Sequence, residues 1–354
     1  MDANAIRERL RAITDPDLGD DIVSLGLVND IQVDDDAIHV DLALGAPYSP
    51  TETTIADQVR DAIGTVDKEV NLTANVDTGL DADDDVLPNV ENVIAVASGK
   101  GGVGKSTMAV NIAAGLSQMG ARVGLFDADI YGPNVPRMVD AEEPPQATPE
   151  ETLVPPEKYG MKLMSMAFLV GEDDPVIWRG PMVHKVLTQL WEDVEWGNLD
   201  YMIIDLPPGT GDIQLTLAQK VPLLGAVVVT TLQDIALIDA RKGLKMFDKV
   251  SVTTLGIVEN MSMHVCSNCG HAEPIFGEGG GARMAEENDV RLLGQLPLEL
   301  AIRTQSDSGV PTVLADPDGR AAGLYHEIAR RTAAGLTRAG ELPASFPKVS
   351  IVED

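Results

Sequence analysis

The sequence predicts an α/β fold, with a mostly parallel sheet covered by helices on both faces and preceded by a small α+β domain. Three observations lead there. Continuous apolar runs such as VIAVA at 93–97 and YMIIDL at 201–206 alternate with helical patterns, as strands buried on both faces require. A glycine-rich turn joins the first of these runs directly to a helical pattern. An acidic stretch with a proline, DADDDVLPN at 81–89, divides this region from a shorter one of mixed patterning.

In chain order, 3–13 has helical spacing, 28–33 and 37–44 read as strands around the acidic turn 34–36, 53–63 as a helix and 69–76 as a strand. Beyond the acidic stretch, 93–97 is a buried strand and 107–119 a helix ended by Gly120. Further strands are read at 122–126, 201–206, 226–231, 254–258 and 292–296, with helices at 235–247 and 318–338. The segment 339–354 has two prolines and no periodicity, so no structure is expected there. The division is therefore a small α+β domain at 1–80, an acidic linker at 81–89, the main domain at 90–338 and a tail at 339–354.

Composition narrows the function. The 354 residues include 26 Lys+Arg and 56 Asp+Glu, a net charge of −30. At 44% hydrophobic residues the chain is not a disordered one. So much negative charge repels phosphate backbones and anionic lipid, so neither nucleic acid nor membrane is an expected partner. The most apolar run, 221–232, is too short for a bilayer and is broken by Pro222 and Gly225. The mixed charges of 1–10 are not those of a secretory signal. Acid spread from end to end, with Asp above Glu and few Lys, resembles the surface of salt-loving microbes. There a Debye length of about 3 Å makes self-repulsion tolerable. The two cysteines form no disulfide framework, which points to a reducing cytoplasm.

Residues 99–106 read G-K-G-G-V-G-K-S, the G-x4-G-K-[ST] phosphate loop, placed after a buried strand and before a helix. This makes the main domain a P-loop NTPase. Gly99, Gly101, Gly102 and Gly104 let backbone N–H groups of the loop, Val103 included, turn inward around the phosphates of ATP. Lys105 reaches the β- and γ-phosphates, the Ser106 hydroxyl ligates Mg²⁺, and Thr107 follows at the head of the helix. Asp205 ends the YMIID strand, where a metal-side carboxylate belongs. Asp127 and Asp129 follow the strand at 122–126, and the carboxyl ends of strands are where open α/β sheets bind ligands.

Lys100 is a second lysine that the general motif does not ask for. With it the loop resembles the deviant Walker A of the MinD/ParA/nitrogenase-iron-protein class. That resemblance implies an ATP-sandwich homodimer in which Lys100 reaches the partner's nucleotide. It also implies a water-orienting role for Asp129 and a magnesium-shell role for Asp127.

Cys266 and Cys269 form one C-x2-C, which aims two thiolates at one metal but supplies only half of a four-ligand site. Two chains could contribute a pair each, His264 and His271 could close a one-chain zinc site, or the pair could be a redox dithiol. The first is favoured because the loop independently asks for a dimer.

The order DADIYGP (127–133), WRGPM (178–182), WGNLDYMIIDLPPGTGD (196–212), GIVENMSM (256–263) and CSNCGHAEPIFGEGGG (266–281) closely resembles the Mrp/ApbC/NBP iron–sulfur cluster carriers. The resemblance implies ATP hydrolysis, a homodimer, and a labile [4Fe–4S] cluster bridged by both C-x2-C pairs and passed to apoproteins. It implies further that Asn260 meets the adenine edge. Asp15-Pro16-Asp17-Leu18 and IVSLGLV at 22–28 resemble a SufT-like domain, with Ser49 where that family often has a cysteine. Two rivals share the loop. A Get/Ars-type targeting ATPase with a dimer-bridging zinc wants a methionine-rich groove, but Met161, Met164 and Met166 are spaced as core residues. A MinD/ParA-type positioning ATPase wants a basic face or a basic membrane helix, and the sequence here ends SIVED.

Overall fold

The computed structural model describes residues 3–16, 20–25, 27–33, 37–42, 50–63, 69–74, 87, 89–141, 143–149, 151–169, 186, 190–266 and 268–340. WRGPM at 178–182, Ser49, the end at 341–354 and all of the acidic stretch except 87 and 89 lie outside them.

The first region is α1 (Ala3–Leu10), β1 (Val28–Val33), β2 (Ala37–Leu42), α2 (Pro50–Ile63) and β3 (Glu69–Ala74). Its sheet has the order β1-β2-β3, antiparallel then parallel, and α2 is the crossover that the parallel pair needs. Ile6 and Leu10 lie four apart on α1, Ile55, Val59 and Ile63 recur every fourth residue of α2, and Ile38, Val40 and Leu42 alternate along β2. All are buried in one core.

The second region is built on β4 (Val90–Ser98), α3 (Lys105–Gln118), β5 (Val123–Asp127) and the short α4 (Val135–Met138). Then come β6 (Glu157–Lys158), β7 (Met161–Ser165), β8 (Leu199–Asp205), α5 (Asp212–Lys220), β9 (Gly225–Thr230), α6 (Asp234–Lys249) and β10 (Thr254–Glu259). The small hairpin β11 (His264–Val265) and β12 (Ala272–Glu273) precedes α7 (Gly280–Glu287), β13 (Leu292–Gln295), α8 (Leu300–Asp307), α9 (Thr312–Ala315) and α10 (Arg320–Gly340).

An eight-stranded sheet runs β13-β10-β9-β4-β8-β5-β7-β6, parallel throughout except for the β6 edge. The chain leaves β4 for β5 on one side and later crosses from β8 to β9 on the other, so the crevice above β4 is a switch point. Alternation along β4 explains its unbroken apolar run. Ile94 and Val96 pack with Met108 and Ile112 of α3 and Ile328 of α10, whereas Val93 and Ala95 pack with Leu244 and Phe247 of α6.

The expected strands and long helices are present, with ends shifted by a few residues. Of the elements longer than four residues, four were not foreseen, β7, α5, α7 and α8, and the short α4, β6, β11, β12 and α9 were not foreseen either. In β7 the sequence MKLMS lacks β-branched residues, and the three helices are only eight or nine residues long. Met161, Met164 and Met166 are core residues, as their spacing suggested. The closing helix runs to Gly340, two residues into the segment expected to be structureless. Among the described residues no helix is long and apolar enough to cross a membrane.

Ile203 lies at full burial in β8, between β4 and β5. Ile203→Ala should cost about 2–5 kcal/mol of unfolding free energy, read by denaturant titration at fixed salt. A loss under about 1 kcal/mol would mean that this strand is not the packed centre described here.

Candidate functional site

The phosphate loop is shaped by close approaches. Gly99 passes so near α6 that a Cβ would lie 2.2 Å from the Asp239 backbone, and a Cβ on Gly104 would lie 2.2 Å from Asn260 Nδ2. Gly102 and Gly104 have φ of 80° and 87°, the left-handed region that glycine enters freely. No side chain caps α3 and its first turn holds no acid, so its leading N–H groups and dipole are left for an anion.

Three carboxyls stand below the loop. Asp127 and Asp205 end adjacent strands and face each other in register. Lys105 Nζ donates to Asp205 Oδ1 at 2.6 Å, lies 3.4 Å from Ser106 Oγ and 4.0 Å from Asp129 Oδ2. Asp205 Oδ2 is buried with no partner among the described residues, an orphan that fits a cation next to Ser106. Burial raises Asp205 above the ordinary carboxylate range, against the pull of Lys105 and the Ser106 hydroxyl.

Asp127 is braced differently. Its Oδ2 accepts the Val135 N–H and the Ser165 hydroxyl, each at 3.0 Å, and its Oδ1 accepts the Asp129 N–H at 3.1 Å. Burial, and then the nearby Asp205, push it up to about 8. Asp129 Oδ1 accepts the N–H groups of Tyr131 and Gly132, which leaves Oδ2 toward Lys105.

A cavity of about 850 Å³ opens over the loop. Gly101, Gly102, Gly104, Lys105, Ser106, Thr107, Asp129 and Asn260 line it, with Pro297, Leu298 and Tyr325 as an apolar wall. Asn260 Nδ2 donates to Val103 O at 2.8 Å and its Oδ1 accepts the Met261 N–H, so this amide already braces the loop. Lys100 is half-buried, its carbonyl accepts the Ser98 hydroxyl, and no ion pair is recorded for it among the described residues.

Cys266 and Cys269 sit apart from these groups on the turn of the β11–β12 hairpin. The Cys266 N–H donates to His271 O at 2.9 Å and the Gly270 N–H returns to Cys266 O at 2.8 Å. Both thiols are free, Cys266 half-buried and Cys269 exposed. The Asn268 and then the Cys269 N–H groups hold the Cys266 thiol below its ordinary range, favouring the ligand form. Among the described residues no group of three or more His, Cys, Asp or Glu is arranged to hold a metal, so His264 and His271 close no such set within the chain.

Residues 89–333 match the family described as NUBPL iron-transfer P-loop NTPase. The chain belongs to this family. Residues 3–76 match a second family, described as iron-sulfur cluster assembly protein. The chain is 46% identical to the iron-sulfur cluster carrier protein of Salmonella typhimurium, over 92% of this chain and 90% of that one. It is 55% identical to the protein of the same description from Pseudomonas fragi, over 71% and 88%. Among solved structures it is similar to the nucleotide-binding protein of Archaeoglobus fulgidus in complex with ADP, at 35% identity and a TM-score of 0.58. That likeness covers 65% of this chain and 91% of the other.

Sequence reasoning about this ATPase missed Ser165, Glu259 and Tyr325. Ser165 meets Asp127 only through the unforeseen β7. Tyr325 reaches the cavity wall from α10, far along the chain. Glu259 had a signal, an acid closing an otherwise apolar strand, which reads more simply as a solvated end.

The raised Asp127 gives a pH test. Its carboxyl holds a proton in the folded chain up to about 8, while the unfolded chain releases it near the ordinary 3.8. Stability from this difference is complete below the lower value and lost as pH rises through the upper one. Asp127→Asn should flatten the loss of stability between about pH 5 and 8 in nucleotide-free protein, relative to wild type. Denaturant titrations at both ends read it, and equal slopes in the two proteins would count against the buried proton.

Proposed function

We propose that this chain is an ATP-hydrolysing carrier that holds a labile [4Fe–4S] cluster between two copies of itself and passes it to apoproteins. The observation that carries the reading is a pair of free thiols on an exposed hairpin, two and no more, in a chain that also has an uncapped phosphate loop. Iron–sulfur clusters take four thiolates, so two chains complete what one begins. The description of the relatives as cluster carriers supports the cargo. The ADP complex of the Archaeoglobus relative supports the nucleotide.

In this reading the loop N–H groups from Gly99 to Thr107 wrap the phosphates, and Lys105 exchanges Asp205 for the β,γ-phosphate charge. Ser106 and the unpartnered Asp205 oxygen hold Mg²⁺, with Asp127 supporting them from below. Bound there, magnesium neutralises charge on the phosphate oxygens. Asp129, fixed by the Tyr131 and Gly132 N–H groups, orients the attacking water. Asn260 keeps one amide hydrogen and further acceptor capacity for the adenine edge while bracing Val103.

Lys100 acts across a homodimer. Exposed apolar side chains beside the loop suit such a contact: Tyr131, two residues past Asp129, and Ile235 and Ile238 on the helix that packs against Gly99. Residues 1–80 serve as an adaptor joined by the acidic linker, and the −30 charge opposes nucleic acid and membrane as partners. Free thiols awaiting a cluster suit a reducing cytoplasm.

Lys100→Ala should slow hydrolysis while leaving ATP binding near wild type. Mixed with an Asp129→Ala chain it should restore partial turnover, because one composite site is whole. Absence of rescue in mixed dimers would place Lys100 in its own subunit.

The cargo is tested by counting. Anaerobically reconstituted protein should hold about four iron and four sulfide per two chains. Cys266→Ala or Cys269→Ala should each abolish the cluster and spare ATP binding, whereas His264→Ala and His271→Ala should keep both. One zinc per chain without sulfide would overturn the carrier reading.

A further inference from the structure

We infer that Glu259 is the positioning residue through which the nucleotide site acts on the cysteine hairpin. The chain leaves the sheet at Glu259, the last residue of β10, and returns at Gly280, the first of α7. Both cysteines lie on the excursion between. Glu259 is 1% exposed, and its carboxyl fastens the two ends together. Oε2 accepts the Gly281 N–H at 2.9 Å, and Oε1 accepts the amide of Gln295, its register neighbour on β13, at 2.7 Å.

The fit leaves no slack. A Cβ on Gly281 would lie 2.6 Å from Glu259 Oε2, and one on Gly280 would lie 2.8 Å from Leu237 of α6. The start of α7 is thus wedged between a buried acid and the helix that packs on the phosphate loop, with its leading N–H groups toward the carboxyl.

The outgoing end is tied to the nucleotide site twice. Asn260, next to Glu259, donates to Val103 O inside the loop. Ser262 donates its N–H and its hydroxyl to Leu296 O, Leu298 N–H donates to Met263 O, and Val265 N–H donates to Leu298 O. Leu298 is part of the cavity wall. The hairpin stem is therefore continuous with the loop through the Asn260 side-chain amide, and with the wall of the nucleotide cavity through backbone hydrogen bonds.

A nucleotide that draws the Val103–Gly104 backbone onto its phosphates, or seats against Leu298, loads the strand from which Cys266 hangs. With Glu259 in place the returning end is fixed and that load turns the hairpin. Without it the excursion swings free of β10 and the two sites part. Glu259 touches neither nucleotide nor thiol, so its contribution is to coupling alone.

The inference rests on the nucleotide reading above and is tested without a cluster. Alkylation rates of Cys266 and Cys269 in the full, cluster-free chain are measured by mass spectrometry with and without a non-hydrolysable ATP analogue, alongside analogue affinity. Bound analogue should change a thiol rate by about 5-fold or more in wild type, the lower end of ordinary coupling. Glu259→Leu and Gly281→Ala should bind the analogue as wild type does and lose that change. Glu259→Gln, which keeps an oxygen for the Gly281 N–H, should retain it. Analogue binding without any thiol response in wild type overturns the inference, and so does a full response in Gly281→Ala. Should Glu259→Leu fail to fold, Gly281→Ala carries the test, because it displaces the carboxyl without removing it. Failure of wild type to bind the analogue would instead count against the nucleotide site itself.

Discussion

A buried lysine against a buried carboxyl is the constraint around which this molecule is arranged. Either charge alone at that depth would cost several kcal/mol, and the pair is tolerable only because Lys105 and Asp205 meet at 2.6 Å. The meeting requires Asp205 at the very end of β8 and Lys105 at the first turn of α3, hence a sheet in which β8 lies beside β4. It also leaves the site short of positive charge. One lysine faces three carboxyls, which is why burial and Asp205 together push Asp127 far above its ordinary range. Three acids around one lysine leave the site with more negative than positive charge, which a cation beside the unpartnered Asp205 oxygen would offset.

The thiol pair follows a different rule. Neither thiol is in the core, and the order of the turn comes from backbone hydrogen bonds: a two-residue ladder, the Cys266–His271 and Gly270–Cys266 bonds, and a glycine in the left-handed region at Gly270. In such a turn the Cys266 sulfur is met by the N–H groups of Asn268 and Cys269. Rigid support is supplied one step back, at Glu259 and Asn260, where the excursion joins the sheet.

What could be read in advance follows from which signals are local. β4, β8, β9 and β10 are buried on both faces, so their sequences are unbroken apolar runs and announce themselves. β7 carries the same burial in the form MKLMS, where methionine and lysine hide it. The phosphate loop is legible because its chemistry is contiguous: eight residues hold the glycines, the lysine and the hydroxyl. Asp127 and Asp205 are legible as strand ends. Their unequal situations are not, since Ser165 and Val135 reach Asp127 from elements that only the fold brings near. Glu259 shows the same limit more sharply. A terminal acid on a strand looks solvated until a distant glycine, Gly281, closes over it.

The uncapped start of α3 has a consequence for the life of the protein. A helix whose leading N–H groups have no side-chain partner is complete only when a phosphate supplies one. Ligand that binds only the folded form adds RT ln(1 + [L]/Kd) to its stability, about 2.7 kcal/mol at a hundred times Kd. Occupancy and durability are thus a single quantity. As nucleotide falls toward its Kd, this added stability falls with it.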